Sequence, residues 1–267
     1  MAYELVGEGG GSSRKGINEA KKRKTRELSA RTPMAHFITA PTIRFEHAAL
    51  SAPIELEHLP DAGPEVMDAD GTFARLWPTA LVLSNWLCEH PEVVAGKRVV
   101  ELGSGTGVVG LVCAALGAAS VTLTDMPDAL ELIRRNAALS RQKGAVTVAP
   151  CTWGDADHLA DLLRGGGGFD VVLCCEVVYQ QSADVLTALA ATQRALALPG
   201  AKVLLAYEFR CAIVEDLAYF DAATELFGDS TSHALTGSAT AFMHNHIDDG
   251  GDDRWLYVYA VPAAAAM

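Results

Sequence analysis

In VVELGSGTGVVG, residues 99–110, glycines alternate at 103, 105 and 107 directly after a β-branched apolar run. One acid, Glu101, stands just before the first glycine, and a second, Asp125, follows the turn by about twenty residues, the spacing at which an acid can reach ribose hydroxyls. Such glycines let backbone approach a ligand closely, and the helix that follows offers its N-terminus to it. The G-K-[ST] ending of a nucleoside-triphosphate loop is absent, whereas GTGVVG (105–110) satisfies G-x-G-x-x-G, so the turn alone leaves a dinucleotide open. Glu101 weighs against that choice. A carboxylate would face a diphosphate unfavourably, but it would attract the cationic amino-acid end of a sulfonium nucleoside such as S-adenosyl-L-methionine. A tight connection with no ligand is the simpler explanation of glycines alone, and the two acids in place argue against it.

These residues need a buried parallel sheet to hold them. KRVVEL, SVTLTD, VTVAPC, FDVVLCCEVVY and AKVLLAYEF alternate with the helical patterns GVVGLVCAAL, PDALELIRRNAALS, DADHLADLLR and ADVLTALAATQRALA. Continuous apolar strands between amphipathic helices indicate a sheet covered on both faces. LWPTALVLSNWLCEH predicts a preceding helix with Pro78 at its start and Pro91 beyond its end. CAIVEDLAYFDAATELF reads as a last helix, followed by strands in HALTGSATAFMHNH and RWLYVYAV with no helix between, which makes that pair antiparallel. FITAPTIRFEHAALSAPIELEHLP predicts short edge strands in a small N-terminal β element. The expected fold is therefore α/β, a Rossmann-like seven-stranded, mostly parallel sheet with an antiparallel last strand, over residues 36–267. Residues 1–35, rich in Gly, Ser and charge, read as a disordered arm.

The chain carries a net charge of −12. Residues 1–35 hold eight Lys/Arg against four Asp/Glu, which leaves the remainder with 13 basic and 29 acidic residues. Such a domain repels nucleic acid and favours cationic partners. The basic run KKRKTR, Lys21 to Arg26, is a candidate nuclear-localisation patch, although a solvated arm is the simpler reading. No apolar run reaches the roughly 20 residues of a membrane span, and the N-terminus lacks a secretory apolar region. Six cysteines (88, 113, 151, 174, 175 and 211) lie in apolar segments without C-x-x-C spacing, as expected of reduced thiols rather than a zinc site or disulfide framework. The expectation is a cytoplasmic monomer with neither a nucleic-acid nor a membrane partner.

The stretch ELGSGTGVVGLVCAALGAASVTLTDMPDALELIRRN closely resembles the cofactor-binding half of the seven-strand methyltransferases, in particular methyltransferase family 16, which includes protein lysine methyltransferases acting on chaperones, translation factors and calmodulin. LWPTALVLSNWL, CTWGD and FDVVLCCEVVY support it in order, over about residues 70 to 210. The resemblance implies S-adenosyl-L-methionine as cofactor and places Trp77, Gly103, Ser104, Gly105, Asp125, Trp153 and Cys175 around it, and the charge of Glu101 adds that residue to the cofactor-binding set. Asp125 would hold the ribose, Trp153 would border the adenine, and Trp77 would supply aromatic surface near the amino-acid end.

EVVY, residues 176–179, resembles the family signature that positions the methyl-accepting amine. Glu176 would hold a lysine ammonium by a charge-assisted hydrogen bond, and Tyr179 would form an aromatic wall. Arg210, in YEFR, is a further candidate contact, and His244 and His246 are better read as part of a solvated loop than as metal ligands. The resulting expectation is a protein-lysine N-methyltransferase with a lysine-bearing protein substrate, which by the resemblance is a chaperone or translation factor. Arginine, histidine or a small amine as acceptor, a non-catalytic cofactor-binding module, and a dinucleotide oxidoreductase are the alternatives.

Overall fold

The structure is a computed structural model and describes residues 42–58, 72–140, 146–164, 166–179, 181–209, 213–236 and 253–263. Strands β1 (Thr42–Phe45) and β2 (Ile54–Glu57) form an antiparallel pair with Thr42 opposite Glu57 and Phe45 opposite Ile54. Their alternation sends Ile43, Phe45, Ile54 and Leu56 into the core, which is the small N-terminal β element the sequence predicts. Helix α1 (Pro78–Glu89) follows, with Trp77 as its extended N-cap residue and Pro78 in the first turn, where a missing N–H costs nothing.

The main sheet comprises β3 (Arg98–Leu102), β4 (Ser120–Asp125), β5 (Val146–Pro150), β6 (Phe169–Cys175), β7 (Ala197–Glu208), β8 (Thr231–Ala234) and β9 (Arg254–Ala260). Its order is β5-β4-β3-β6-β7-β9-β8. Strands β3 to β7 pair in parallel, and β9 runs antiparallel to both β7 and β8. The chain inserts its last strand between the two before it, so the expected seven-stranded sheet with an antiparallel last strand is present. Strand β7 begins at Ala197, four residues before the AKVLLAYEF run, and the β6–β7 register shifts between Phe169 and Val171 to absorb the extra length.

Helices α2 (Val108–Ala115), α3 (Leu130–Ser140), α4 (Ala156–Leu163), α5 (Ala183–Leu196) and α6 (Ile213–Phe227) supply the crossovers and the covering layers. The strand period of two divides the core. Val99, Val121, Val171, Leu173 and Leu204 pack with α1, α2, α3 and the β1–β2 hairpin, whereas Val100, Leu102, Val172, Cys174, Val203 and Leu205 pack with α5 and α6. Strand order reverses between β3 and β6, because β4 and β5 lie on one side of β3 and the chain returns to the other. Ligands of open α/β sheets bind outside the carboxyl ends of the strands at this reversal. Leu102, the last residue of β3, pairs in register with Cys174, one residue before the end of β6.

Candidate functional site

Past Leu102 the chain turns through Gly103 and Gly105, both at positive φ (67° and 54°), a conformation that a Cβ would strain. Both glycines are also closely covered. An added Cβ on Gly103 would sit 2.6 Å from Val177 Cγ1 and 3.6 Å from the Trp153 ring, and one on Gly105 would lie 3.1 Å from the Phe73 carbonyl oxygen. The loop after β6, the loop after β5 and the segment leading into α1 therefore all converge on this turn.

The turn is tied down by its neighbours. Asp125 Oδ2 accepts from the Gly105 N–H at 2.8 Å and Oδ1 from the Met126 N–H at 2.8 Å, and burial raises this carboxyl above its ordinary range against those two donors. Ser104 Oγ donates to the Glu101 carbonyl and accepts from the Thr124 N–H, while the Ser104 N–H donates to the Thr124 carbonyl. Thr124 Oγ1 closes the clasp on the Glu101 carbonyl at 2.7 Å. The Gly107 N–H donates to the Ser104 carbonyl. Three backbone N–H groups of the turn, those of Ser104, Gly105 and Gly107, are thus committed within the protein. A phosphate cradle is built from such groups aimed at the ligand.

Glu101 lies on the face of β3 that meets α2, 2% exposed, and its Oε2 accepts from the Gly110 N–H at 3.0 Å. Burial pushes its carboxyl up to about 8, against the lowering effect of bonds with Gly110 and Ser104. The side chain acts first as an acceptor for the opening turn of α2. The case against a phosphate ligand accordingly passes from the charge of Glu101 to the committed N–H groups.

Strand β6 ends at half-buried Cys175, which pairs with Ala206 of β7. The sequence run FDVVLCCEVVY looks like one strand, but the chain breaks at Glu176, the only non-glycine residue with positive φ (58°) among the described residues. Its N–H still donates to the Ala206 carbonyl at 3.0 Å, so the left-handed turn is pinned to β7. A bulkier-than-glycine residue in that region costs roughly 1–2 kcal/mol, and strain held in place by the surroundings is a mark of functional sites. Three residues on, the Tyr179 ring lies 6.3 Å from the Trp77 ring, centroid to centroid, tilted by 57°. Trp153 is held through its neighbour, since the Gly154 N–H donates to Thr192 Oγ1 on α5 at 2.9 Å. The ten sequence-derived site residues therefore lie at or beside the carboxyl ends of β3, β4, β5 and β6, with the Glu101 side chain turned under α2 to the Gly110 N–H. Arg210, His244 and His246 lie outside the described residues, as do the KKRKTR run and Cys211. The five described cysteines are free thiols, four of them buried.

Phe73, Thr124, Asn136, Val177 and Thr192 also shape the site, and reading the sequence passed over them. Asn136 carried a signal, because it falls in helical register with Leu132, Ile133 and Ser140 on the buried face of α3.

A family model described as lysine methyltransferase matches residues 65–226, which span every residue of this site. The chain belongs to the lysine methyltransferase family. Within it, the chain is similar to protein N-lysine methyltransferase METTL21A of Danio rerio, 39% identical over 144 residues, 52% of this chain and 62% of that protein. It is also similar to EEF1A lysine methyltransferase 3 of Mus musculus, 36% identical over 141 residues, 52% of this chain and 57% of that protein. The match thus spans less than two thirds of either relative. Among solved structures, a T. thermophilus 16S rRNA methyltransferase in complex with AdoMet and guanosine superposes with a TM-score of 0.53 at 19% identity, over 84% of this chain and 51% of that one. That likeness is one of fold.

Proposed function

We propose that this chain is a protein-lysine N-methyltransferase that uses S-adenosyl-L-methionine. The observation that carries the reading is the glycine turn, whose Ser104, Gly105 and Gly107 N–H groups are spent on the protein while Asp125, an acceptor, borders it. That donor set suits a nucleoside without phosphates. Each Asp125 oxygen has one backbone donor and keeps a lone pair for a ribose hydroxyl, and the half-buried Trp153 and Trp77 offer apolar faces to an adenine and an aliphatic chain. When bound, the cofactor supplies an electrophilic methyl group on a sulfonium.

The chain's own residues then deliver the amine. Glu176, fixed by its pinned backbone turn, accepts a hydrogen bond from the incoming lysine ammonium and sets its direction. Tyr179 and Trp77 wall the approach with aromatic faces that favour a cation and exclude water. Desolvation between them would lower the lysine pKa, so that the ammonium would give up its proton to water as the site closes and present a neutral nitrogen to the methyl group that the bound cofactor would supply. Glu176 positions the amine rather than serving as the base, because a carboxylate beside an ammonium opposes deprotonation.

The acidic remainder of the chain, 13 basic against 29 acidic residues beyond position 35, suits a basic protein surface around the target lysine. The names of the two relatives point to protein lysines, one of them in EEF1A, and a translation factor is the substrate class to try first. We further propose that the enzyme is a cytoplasmic monomer, a compartment that a translation-factor substrate would suit. The test is incubation with radiolabelled S-adenosylmethionine and a whole-cell extract, next to a Glu176→Ala variant. A discrete labelled protein band that the variant loses supports the reading; no labelled protein, with cofactor binding intact, favours a small-molecule acceptor or an inactive binding module.

A further inference from the structure

The side-chain amide of Asn136, fully buried on α3, makes three hydrogen bonds to backbone. Its Oδ1 accepts from the Glu57 N–H at 2.6 Å, and its Nδ2 donates to the Glu57 carbonyl at 3.0 Å and to the Thr106 carbonyl at 2.8 Å. The first two bonds imitate a strand neighbour for β2, so the hairpin docks on α3 through both backbone groups of one residue. The third reaches into the glycine turn between Gly105 and Gly107. Both amide hydrogens and the amide oxygen are used, and no other residue type of this size offers two donors and an acceptor in one plane.

Asp125 and the Ser104–Thr124 clasp hold the turn from β4, and Asn136 holds it from α3 and the hairpin. Ser140, one helical turn further along α3, donates to the Glu55 carbonyl at 3.1 Å and so grips the same hairpin at a different strand residue. Asn136 bonds to hairpin and turn together.

We infer that Asn136 is a positioning residue that makes the N-terminal hairpin a working part of the cofactor-binding turn. This rests on the reading of that turn as the S-adenosylmethionine site. Coupling of this kind is reciprocal: whatever the docked hairpin contributes to ligand binding, the ligand returns as hairpin stability.

Amide hydrogen exchange on the full-length wild-type chain tests the reciprocity directly, with and without saturating S-adenosylhomocysteine. The expected result is at least tenfold slower exchange in β2 (Ile54–Glu57) than in the same strand without ligand, beyond any slowing in β9, which pairs with β7 and β8 at the far side of the sheet. Equal slowing of β2 and β9, or none in β2 while residues 103–110 are protected, overturns the inference and leaves the cofactor site standing. No protection anywhere, with no heat of binding, brings down the cofactor reading itself. Two variants divide the remaining question. Asn136→Asp removes both donors, and the expected outcome is at least a tenfold rise in the dissociation constant for S-adenosylhomocysteine and in KM for the cofactor, with kcat largely kept. Ser140→Ala is expected to leave that constant within about twofold. An equal loss in both would mean that hairpin stability alone matters, against the role given to the amide. Should Asn136→Asp fail to fold, the wild-type exchange comparison still decides.

Discussion

Replacing Glu101 by glutamine should change how stability depends on pH, in a direction fixed by where the side chain sits. Glu101 is wholly buried against α2, and burial lifts its carboxyl from an ordinary 4.5 to about 8. Between those two values the folded protein keeps a proton that the unfolded chain releases. Stability therefore falls as pH rises through this window, by at most about 1.4 kcal/mol per pH unit, and levels off above it. At pH 7 the accumulated loss is roughly 3 kcal/mol by the same relation. Glutamine cannot ionise, yet its amide oxygen can still accept from the Gly110 N–H. Glu101→Gln should thus lie within about 1 kcal/mol of the wild type at pH 5 and exceed it increasingly towards pH 8. Urea unfolding of both proteins across pH 5 to 9 measures the gap, and taking the difference removes titrations common to both. Parallel curves would refute the reasoning, since they would mean that Glu101 ionises in the fold as it does in water.

Other substitutions report on different parts of the same site. In Gly110→Ala the new Cβ would lie 2.1 Å from Leu123 Cδ2 and 2.7 Å from Glu101 Oε2. Overpacking of about 1–3 kcal/mol plus a disturbed Glu101 bond should outweigh the roughly 1 kcal/mol gain in helix propensity, so the melting temperature falls by several degrees; an unchanged or higher value would contradict the packing. Asp125→Ala removes the acceptor from the Gly105 N–H and from the proposed ribose contact, and calorimetry should find S-adenosylhomocysteine bound at least tenfold more weakly, about 1.4 kcal/mol or more. Equal affinity would take Asp125 out of the site. Trp77→Ala should raise KM for the protein substrate severalfold through loss of the wall shared with Tyr179, and a change confined to kcat would argue against that role.

The sheet was legible in the sequence because its strands are short β-branched runs separated by amphipathic helices, a pattern that has few folded solutions. Gly103, Asp125 and Glu176 could be located as well, since glycine turns and acids at strand ends fall at fixed distances from the strands. The chemistry of the turn was less accessible. Reading Glu101 as a charge beside the ligand ignored the strand period, which turns it under α2, where burial holds its proton. The N–H groups that disfavour phosphate are committed to Thr124, Asp125 and Ser104 by tertiary geometry, and composition carries no trace of that pairing. Glu176 ends its strand through a positive φ that its neighbours Cys175 and Val177, both good strand residues, conceal. Asn136 was visible as a polar residue on an apolar helix face, but its partners Glu57 and Thr106 are 79 and 30 residues away.

The central claim is that the acceptor is a lysine amine. Hydrolysing the labelled product of the extract reaction to amino acids and identifying the one that carries the methyl group tests it most directly. Label in ε-N-methylated lysine is the expected result. Label in methylated arginine or histidine, or only in low-molecular-weight material, would contradict the assignment of Glu176 and Tyr179 to a lysine side chain.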